Sequence, residues 1–473
     1  MRSVGVVRAA GSADRVRRDG IPPSPLPARI GLRWGFLEWF AIAQSALPAA
    51  LFIPGSQAGR LPLRIAPFAL SLLAFTWWWI RPGRGLRSHP SGPWLLLAVF
   101  YLTVMILAPM TSSVIAGVAH VMLYTSVLAP VFWVPRLVGN EERLRRVLGI
   151  LLVCSGINAM VGVLQVYDPD RWMPPEFSRI VTTSTFGLNP VTFVGPDGFP
   201  MIRPPGLFDA PGGVCGPGMV AAWLGVIFAM SPIRAWEKIV AMLFAIAGMA
   251  ALYLSHVRAA FVVLIGMMLI YLLTLVIQKR PIAVTIRFVV IVGAVAAVAL
   301  SLAVVLAGPS VSERFLTLFE DPLEVYYESR GQQVQFAFTN LLLDYPLGAG
   351  LGLWGMIQVH FGNPISSNSP SIWVEVQPSA WVIDGGIFLL MFYAVALLVT
   401  SVRELKIVRS GGRLGLRTWA APIFALNAGT LGLMFGFTPF TTQIGLQYWF
   451  LVGLLHGATQ AGGAAVDERV HSR

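Results

Sequence analysis

Apolar residues along the chain fall into long runs, separated by short joins rich in Pro, Gly and Arg such as Arg81-Pro-Gly-Arg84 and Lys279-Arg-Pro281. A helix needs roughly 20 apolar residues to cross a bilayer. Backbone in hydrocarbon must satisfy its own hydrogen bonds, so such runs become helices. A barrel would alternate apolar and polar residues in segments of about ten, and no such pattern is present. The runs at 33–54, 62–80, 92–110, 114–135, 147–167, 212–231, 236–254, 257–277, 284–308, 379–402, 418–437 and 441–458 predict an all-α polytopic membrane protein with about twelve transmembrane helices.

Composition agrees with that reading. The 473 residues are 56% hydrophobic and only 12% charged, against about 25% charged in a soluble domain. The net charge of +12 would suggest nucleic acid in a soluble protein, but its positions explain it better. With the N-terminus inside, Arg81, Arg84, Arg87, Arg136, Arg143, Arg145, Arg146, Arg234, Lys238, Lys279, Arg280, Arg287, Arg403, Lys406, Arg409, Arg413 and Arg417 all fall on the cytoplasmic side. With both tails this is about 26 of the basic residues, the bias that orients membrane proteins. Both termini are therefore expected in the cytoplasm, and no nucleic-acid partner is expected. Cys154 and Cys215 lie in or beside apolar helices, so neither a disulfide framework nor a metal site follows.

The domain plan is a basic tail at 1–32, a membrane domain at 33–458 and a second cytoplasmic tail at 459–473. The first tail carries Arg2, Arg8, Arg15, Arg17 and Arg18 but no apolar core, so it is not a signal peptide; Ile21-Pro-Pro-Ser-Pro-Leu-Pro27 predicts disorder. No internal repeat is evident. Two long segments, about 168–211 and 309–378, fall outside. They hold Trp172, Phe177, Phe208, Phe315, Tyr326, Tyr327, Trp354 and Trp373, too aromatic for disorder. Short helices packed on the outer face are expected, with binding or chemistry there.

Among the basic residues expected outside, Arg258, in Ser255-His-Val-Arg258, sits at the rim of a span. It reads as an interfacial anchor or as an anion site, since guanidinium binds phosphate oxygens bidentately. Arg330, in Glu328-Ser-Arg-Gly-Gln-Gln333, reads as an ion pair with Glu328 or Glu324, or as a second anion contact. Arg203 lies in a proline-stiffened loop, Met201-Ile-Arg-Pro-Pro-Gly206. Glu375 and Asp384 flank the start of a span, where carboxylates suit the helix dipole or serve as a base. His360 and His256 are lone histidines. The glycines of Asp344-Tyr-Pro-Leu-Gly-Ala-Gly-Leu-Gly-Leu-Trp-Gly355 suggest a turn with close backbone approach; no preceding strand supports a dinucleotide loop. No cluster has metal-ligand spacing.

In order along the chain, these pieces resemble the O-antigen ligase and polymerase family of bacterial envelope glycan enzymes. Arg203-Pro-Pro-Gly-Leu-Phe208 is similar to the family's Arg-x-x-Gly-x-Phe. Ser255-His-Val-Arg-Ala-Ala260 is similar to its Ser-Arg-Gly/Ala element, with an insertion. Arg330 followed by Asp344-Tyr-Pro-Leu-Gly-Ala-Gly-Leu-Gly352 resembles its Arg…Asp-x-Pro-Leu-x-Gly-x-Gly run, and Asp384-Gly-Gly386 its Glu-x-Gly. The likeness covers about residues 150 to 400. It implies metal- and cofactor-independent transfer of saccharide from a polyprenyl-diphosphate carrier to a glycan, lipid or protein acceptor. The site is the outer face of the inner membrane, among membrane lipids and other polysaccharide-assembly proteins. It also implies that Arg258 and Arg330, with Arg203, hold the diphosphate. Ligases carry a His-Asn pair before the Glu-x-Gly; here the stretch is Val374-Glu-Val-Gln-Pro378. That departure favours a polymerase, or a divergent member with another acceptor, with Glu375, His360 or Asp384 as the catalytic candidates. The alternative is a transporter or flippase for a glycan precursor, which would place ionisable groups near the midplane.

Overall fold

Each of the predicted apolar runs is helical. In order, the helices are Phe36–Ala46, Arg60–Ile80, Gly92–Met105, Val114–Leu128, Glu141–Tyr167, Cys215–Met230, Ala235–Ser255, Arg258–Ile277, Ile282–Ala307, Gln377–Ser410, Leu414–Leu433 and Gln443–His471. The structure, a computed structural model, describes residues 34–53, 55–81, 88–173, 191–194, 200–208, 210–308, 311, 322–363, 372–410 and 414–471. The expected tail at 1–32 lies outside them. Helix Gln443–His471 runs on into the residues expected as a second tail, 459–473. Residues Gly35–Arg473 form one compact unit.

Among the described residues, seven helices are long and apolar enough to cross a membrane. Others are shorter than predicted because the chain breaks them. The first helix tightens into a 3₁₀ stretch, Leu47–Phe52, at Pro48. Gly92–Met105 gives way to turns before Ser113, whose hydroxyl accepts from Ala116 N at 3.0 Å to cap the next helix. Pro130 and Pro135 segment the end of that helix into Pro130–Trp133 and Pro135–Val138. The helix Ile282–Ala307 has a mean hydropathy of 3.0 with only 17% of its apolar window buried. It leaves Val290, Val298 and Val305 bare. A continuous apolar surface of this kind has no stable place in water and fits a multi-pass membrane protein.

Small residues set the closest helix crossing. A Cβ at Gly248 would stand 2.5 Å from Ala222 N and from Gly218 O, so Ala235–Ser255 and Cys215–Met230 touch backbone to backbone. Lipid tails are as apolar as leucine, so close packing of this kind holds membrane helices together.

Glu38 is fully buried. Both its oxygens are taken by Arg143, Nε to Oε1 at 2.9 Å and Nη2 to Oε2 at 2.8 Å, and Gly35 N donates at 3.0 Å. Arg143 is thus part of the packing rather than a merely solvated topogenic charge. Arg143→Ala strands the carboxylate and is expected to cost about 3 kcal/mol, read as a lowered thermal midpoint in detergent; Arg143→Lys should lose less.

The segments expected outside differ from one another. In the first, a one-turn helix, Pro169–Trp172, is joined by a two-stranded antiparallel hairpin, where short helices alone were expected. Thr192–Val194 pairs with Pro200–Ile202, Thr192 opposite Ile202. The strand-forming residues flank the turn-type sequence Gly195-Pro-Asp-Gly198. In the second, helical turns run from Pro322–Tyr326 to Leu342–Asp344, widened to π geometry at Tyr327–Gly331 and Ala337–Leu341. The helix Gly355–Phe361 follows.

Candidate functional site

The motif Asp384-Gly-Gly386 breaks its helix. Gly385 (φ −163°, ψ 17°) and Gly386 (φ 56°, ψ −146°) leave helical geometry inside Gln377–Ser410, freeing backbone groups that hydrocarbon would not satisfy. The glycine-rich run 346–352 supplies the partners. Ala349 N and Gly350 N donate to Ile383 O at 2.7 and 3.3 Å, and Ile387 N donates to Pro346 O at 2.9 Å. Contact is so close that a Cβ at Gly348 would lie 2.7 Å from Gly385 Cα. Two motifs that were separate in the sequence are therefore one structure, a glycine strap seated in a helix break.

Asp384 locks the strap. It is fully buried and accepts from Tyr124 Oη at 2.7 Å and Trp354 Nε1 at 2.8 Å. His120 Nε2 stands 3.5 Å from its Oδ2. Gly352 N donates to His120 Nδ1 at 3.1 Å, so the ring proton sits on Nε2, facing the carboxylate. The His120 and Tyr124 rings stack at 5.3 Å. The sequence reading took Asp384 as a catalytic candidate at the mouth of a span. The structure instead encloses it, with its oxygens turned to protein donors.

The arginines gather at the end of the helices where Ser255, Arg258 and Gln377 lie. Arg330 forms an ion pair with Glu375, not with Glu328 or Glu324, and Nη1 donates to Ser329 O at 2.8 Å. Gln333 Nε2 donates to the same Glu375 oxygen at 2.9 Å. Segment 372–377 is pinned from both sides. Gln377 N donates to Met434 O and Phe437 O at 2.9 and 3.1 Å, and Ser379 Oγ donates to Gln333 O at 3.3 Å. Phe435 O accepts from Tyr326 Oη at 3.2 Å, four residues before Arg330. Beside it, a Cβ at Gly436 would lie 3.8 Å from that of Ala259, the neighbour of Arg258. Across Val257, a Cβ at Gly212 would lie 3.3 Å from Val257 Cγ2, and Gly212 N donates to Arg203 O at 3.4 Å. The segments that bear Arg203, Arg258, Arg330 and Glu375 are thus linked at one end of the helices. Burial pushes the Arg203 pKa down, opposed by nearby Cys215; a guanidinium short of water gains most from an anionic partner.

His360 does not join them. It is exposed on Gly355–Phe361, whose end is tied to Ser113 Oγ through Phe361 O at 3.0 Å. His256 is buried at the left-handed turn (φ 57°) that ends Ala235–Ser255. The sequence reading missed His120, Tyr124 and Trp354. A signal was present: His120 and Tyr124 are polar groups four apart in an apolar run, hence on one helix face. Both cysteines are free. Among the described residues no group of three or more His, Cys, Asp or Glu is placed to hold a metal ion.

The fold and this linked end together define an α-helical protein with several helices apolar enough to cross a membrane and a basic, carboxylate-bearing cluster at one end of them. No family model matches the chain, and no curated protein matches it.

Proposed function

We propose that this protein is a multi-pass enzyme of the bacterial inner membrane that transfers saccharide from a polyprenyl-diphosphate carrier to a glycan or lipid acceptor, in surface or exopolysaccharide assembly. It crosses the membrane twelve times with both ends cytoplasmic, an arrangement supported by the helical state of every predicted run and by the Lys/Arg bias. The observation that carries the reading is the ion pair of Arg330 with Glu375, on segments packed at the same end of the helices as those that bear Arg203 and Arg258.

In this scheme Arg203, Arg258 and Arg330 hold the diphosphate, whose charge grows as the bond between sugar C1 and phosphate oxygen breaks. Arg330 now pairs with Glu375. Its transfer to the diphosphate frees Glu375 to take the proton of the acceptor hydroxyl as that oxygen bonds C1. The strap and Asp384 act at a distance, holding the 344–355 segment to the helices. His360 is too exposed and too separately anchored to serve as the base. The likeness to the O-antigen ligase and polymerase family rests on the same residues.

The test is the purified protein in a bilayer with a lipid-linked oligosaccharide and acceptor. Lengthened glycan and released polyprenyl diphosphate are expected, and Glu375→Gln should cut turnover about a hundredfold with little change in donor binding. A second reading, translocation of the lipid-linked precursor, draws on the broken helix and its buried Asp384, features common in transporters. Movement of intact donor across the bilayer without transfer would favour it and sink the first.

A further inference from the structure

Helix Glu141–Tyr167 carries two carboxamides in its second half, Asn158 and Gln165. They stand seven residues apart, two turns, and so share a face. Both are buried, at 1% and 0% exposure. A carboxamide enclosed among apolar helices is costly unless its polar atoms are met. Here the partners lie mainly in the segment that follows Arg203.

Gln165 pairs with Gly206 as one strand pairs with another. Its Nε2 donates to Gly206 O and its Oε1 accepts from Gly206 N, both at 2.8 Å. The second Nε2 hydrogen goes to Trp172 O at 3.1 Å, so both N–H bonds of the amide are used. Leu207 N donates to Asn158 Oδ1 at 3.1 Å. Gly206 is held at φ 64°, and a Cβ there would stand 2.1 Å from Asn158 Oδ1. Glycine is therefore the residue that lets this clamp close.

A short, stiff link joins the clamp to Arg203. Pro204 and Pro205 are both buried, and their rings fix φ at the two intervening positions. The backbone of Arg203 is held as well: its N donates to Val191 O at 2.7 Å, and its O accepts from Gly212 N at 3.4 Å. The side chain of Arg203 thus reaches out from a fixed Cα, and the helix bearing Gln165 sets where that Cα sits. Bidentate capture of phosphate oxygens depends on such placement, because the guanidinium fork is planar and rigid.

We propose that Gln165, with Asn158, is a positioning residue for the lipid diphosphate, acting through the Gly206–Leu207 backbone on the point from which Arg203 meets the anion. The inference rests on the role given to Arg203 above. The test is binding of polyprenyl diphosphate to the full chain in lipid nanodiscs, in a double-mutant cycle of Gln165→Leu and Arg203→Ala. Gln165→Leu removes all three hydrogen bonds of the side chain. It should weaken binding several-fold by itself and add nothing once Arg203→Ala is present. Gln165→Glu, which when protonated accepts from Gly206 N and donates to Gly206 O, should bind more tightly than Gln165→Leu. Equal weakening by Gln165→Leu with and without Arg203 would mean a general loss of packing, and overturns the inference. Unchanged affinity in Gln165→Leu overturns it too, and if Arg203→Ala still weakens binding the role of Arg203 stands. If Arg203→Ala binds as the unsubstituted chain does, that role fails and the inference falls with it. Should Gln165→Leu not fold, Asn158→Ala, which removes the one bond to Leu207, takes its place in the cycle.

Discussion

Under the proposed function, Arg330→Ala is expected to lower saccharide transfer by about two to three orders of magnitude, the usual loss when one preorganised charge is taken from a developing anion. Its guanidinium is in contact with the candidate base, through the ion pair to Glu375. Removing it costs twice: a diphosphate contact is lost, and Glu375 loses a partner that holds it in register. Arg330→Lys should recover charge but not the bidentate geometry, leaving an intermediate rate. Glu375 remains held by Gln333 at 2.9 Å, so the fold should survive and the donor-bound state can still be measured. Arg258→Ala is expected to lose a similar amount, since Arg258 lies at the same end of the helices. The measurement is single-turnover transfer from a lipid-linked donor at matched protein, with the carrier-linked intermediate followed in parallel. Wild-type rates in both variants would remove the diphosphate site from consideration.

Gly386→Ala is the substitution expected to damage the fold most. The residue sits at φ 56°, ψ −146°, and a Cβ there would meet Pro346 O at 2.1 Å and Gly348 N at 2.6 Å. Backbone strain alone costs about 1–3 kcal/mol, and nothing flexible can yield, because the obstacle is the strap's own backbone. Unseating the strap also exposes the hydrogen bonds at Ile383 O and the donors on Asp384. A loss of about 4 kcal/mol or more is expected, read as a lowered thermal midpoint and as protease cleavage in 344–355. Gly308→Ala is the control. It shares a positive φ, 81°, but has nothing within 4 Å of a new Cβ, so it should cost only the backbone term. Equal losses in the two variants would mean that the seat of the strap is not close-packed.

The spans were readable because each is a local property. A run such as Ile282–Ala307 is apolar enough on its own to require a helix in hydrocarbon, whatever its neighbours do. Chain breaks were also local: Pro48, Pro130 and Pro135 mark where helices tighten or segment. The hairpin at Thr192–Val194 was missed because three-residue strands are too short for alternation to register. These arginines were legible as charges that an apolar chain has little reason to carry, but their partners were not. Arg330 had Glu328 and Glu324 nearby in sequence, and the structure chose Glu375 instead, because segment 372–377 is pinned beside it.

What the amino-acid sequence determined by itself was the helical class, the apolar runs and a short set of basic and acidic candidates. Only the tertiary structure decided which of them meet. Asp384 is held by Tyr124, 260 residues away, and Glu404 by Asn427 on the next helix; both are enclosed. Hydrophobic run length follows from neighbours along the chain, whereas the environment of a carboxyl depends on which distant helices pack on it. That packing turned the Asp-Gly-Gly motif from an expected catalytic edge into the seat of a glycine strap.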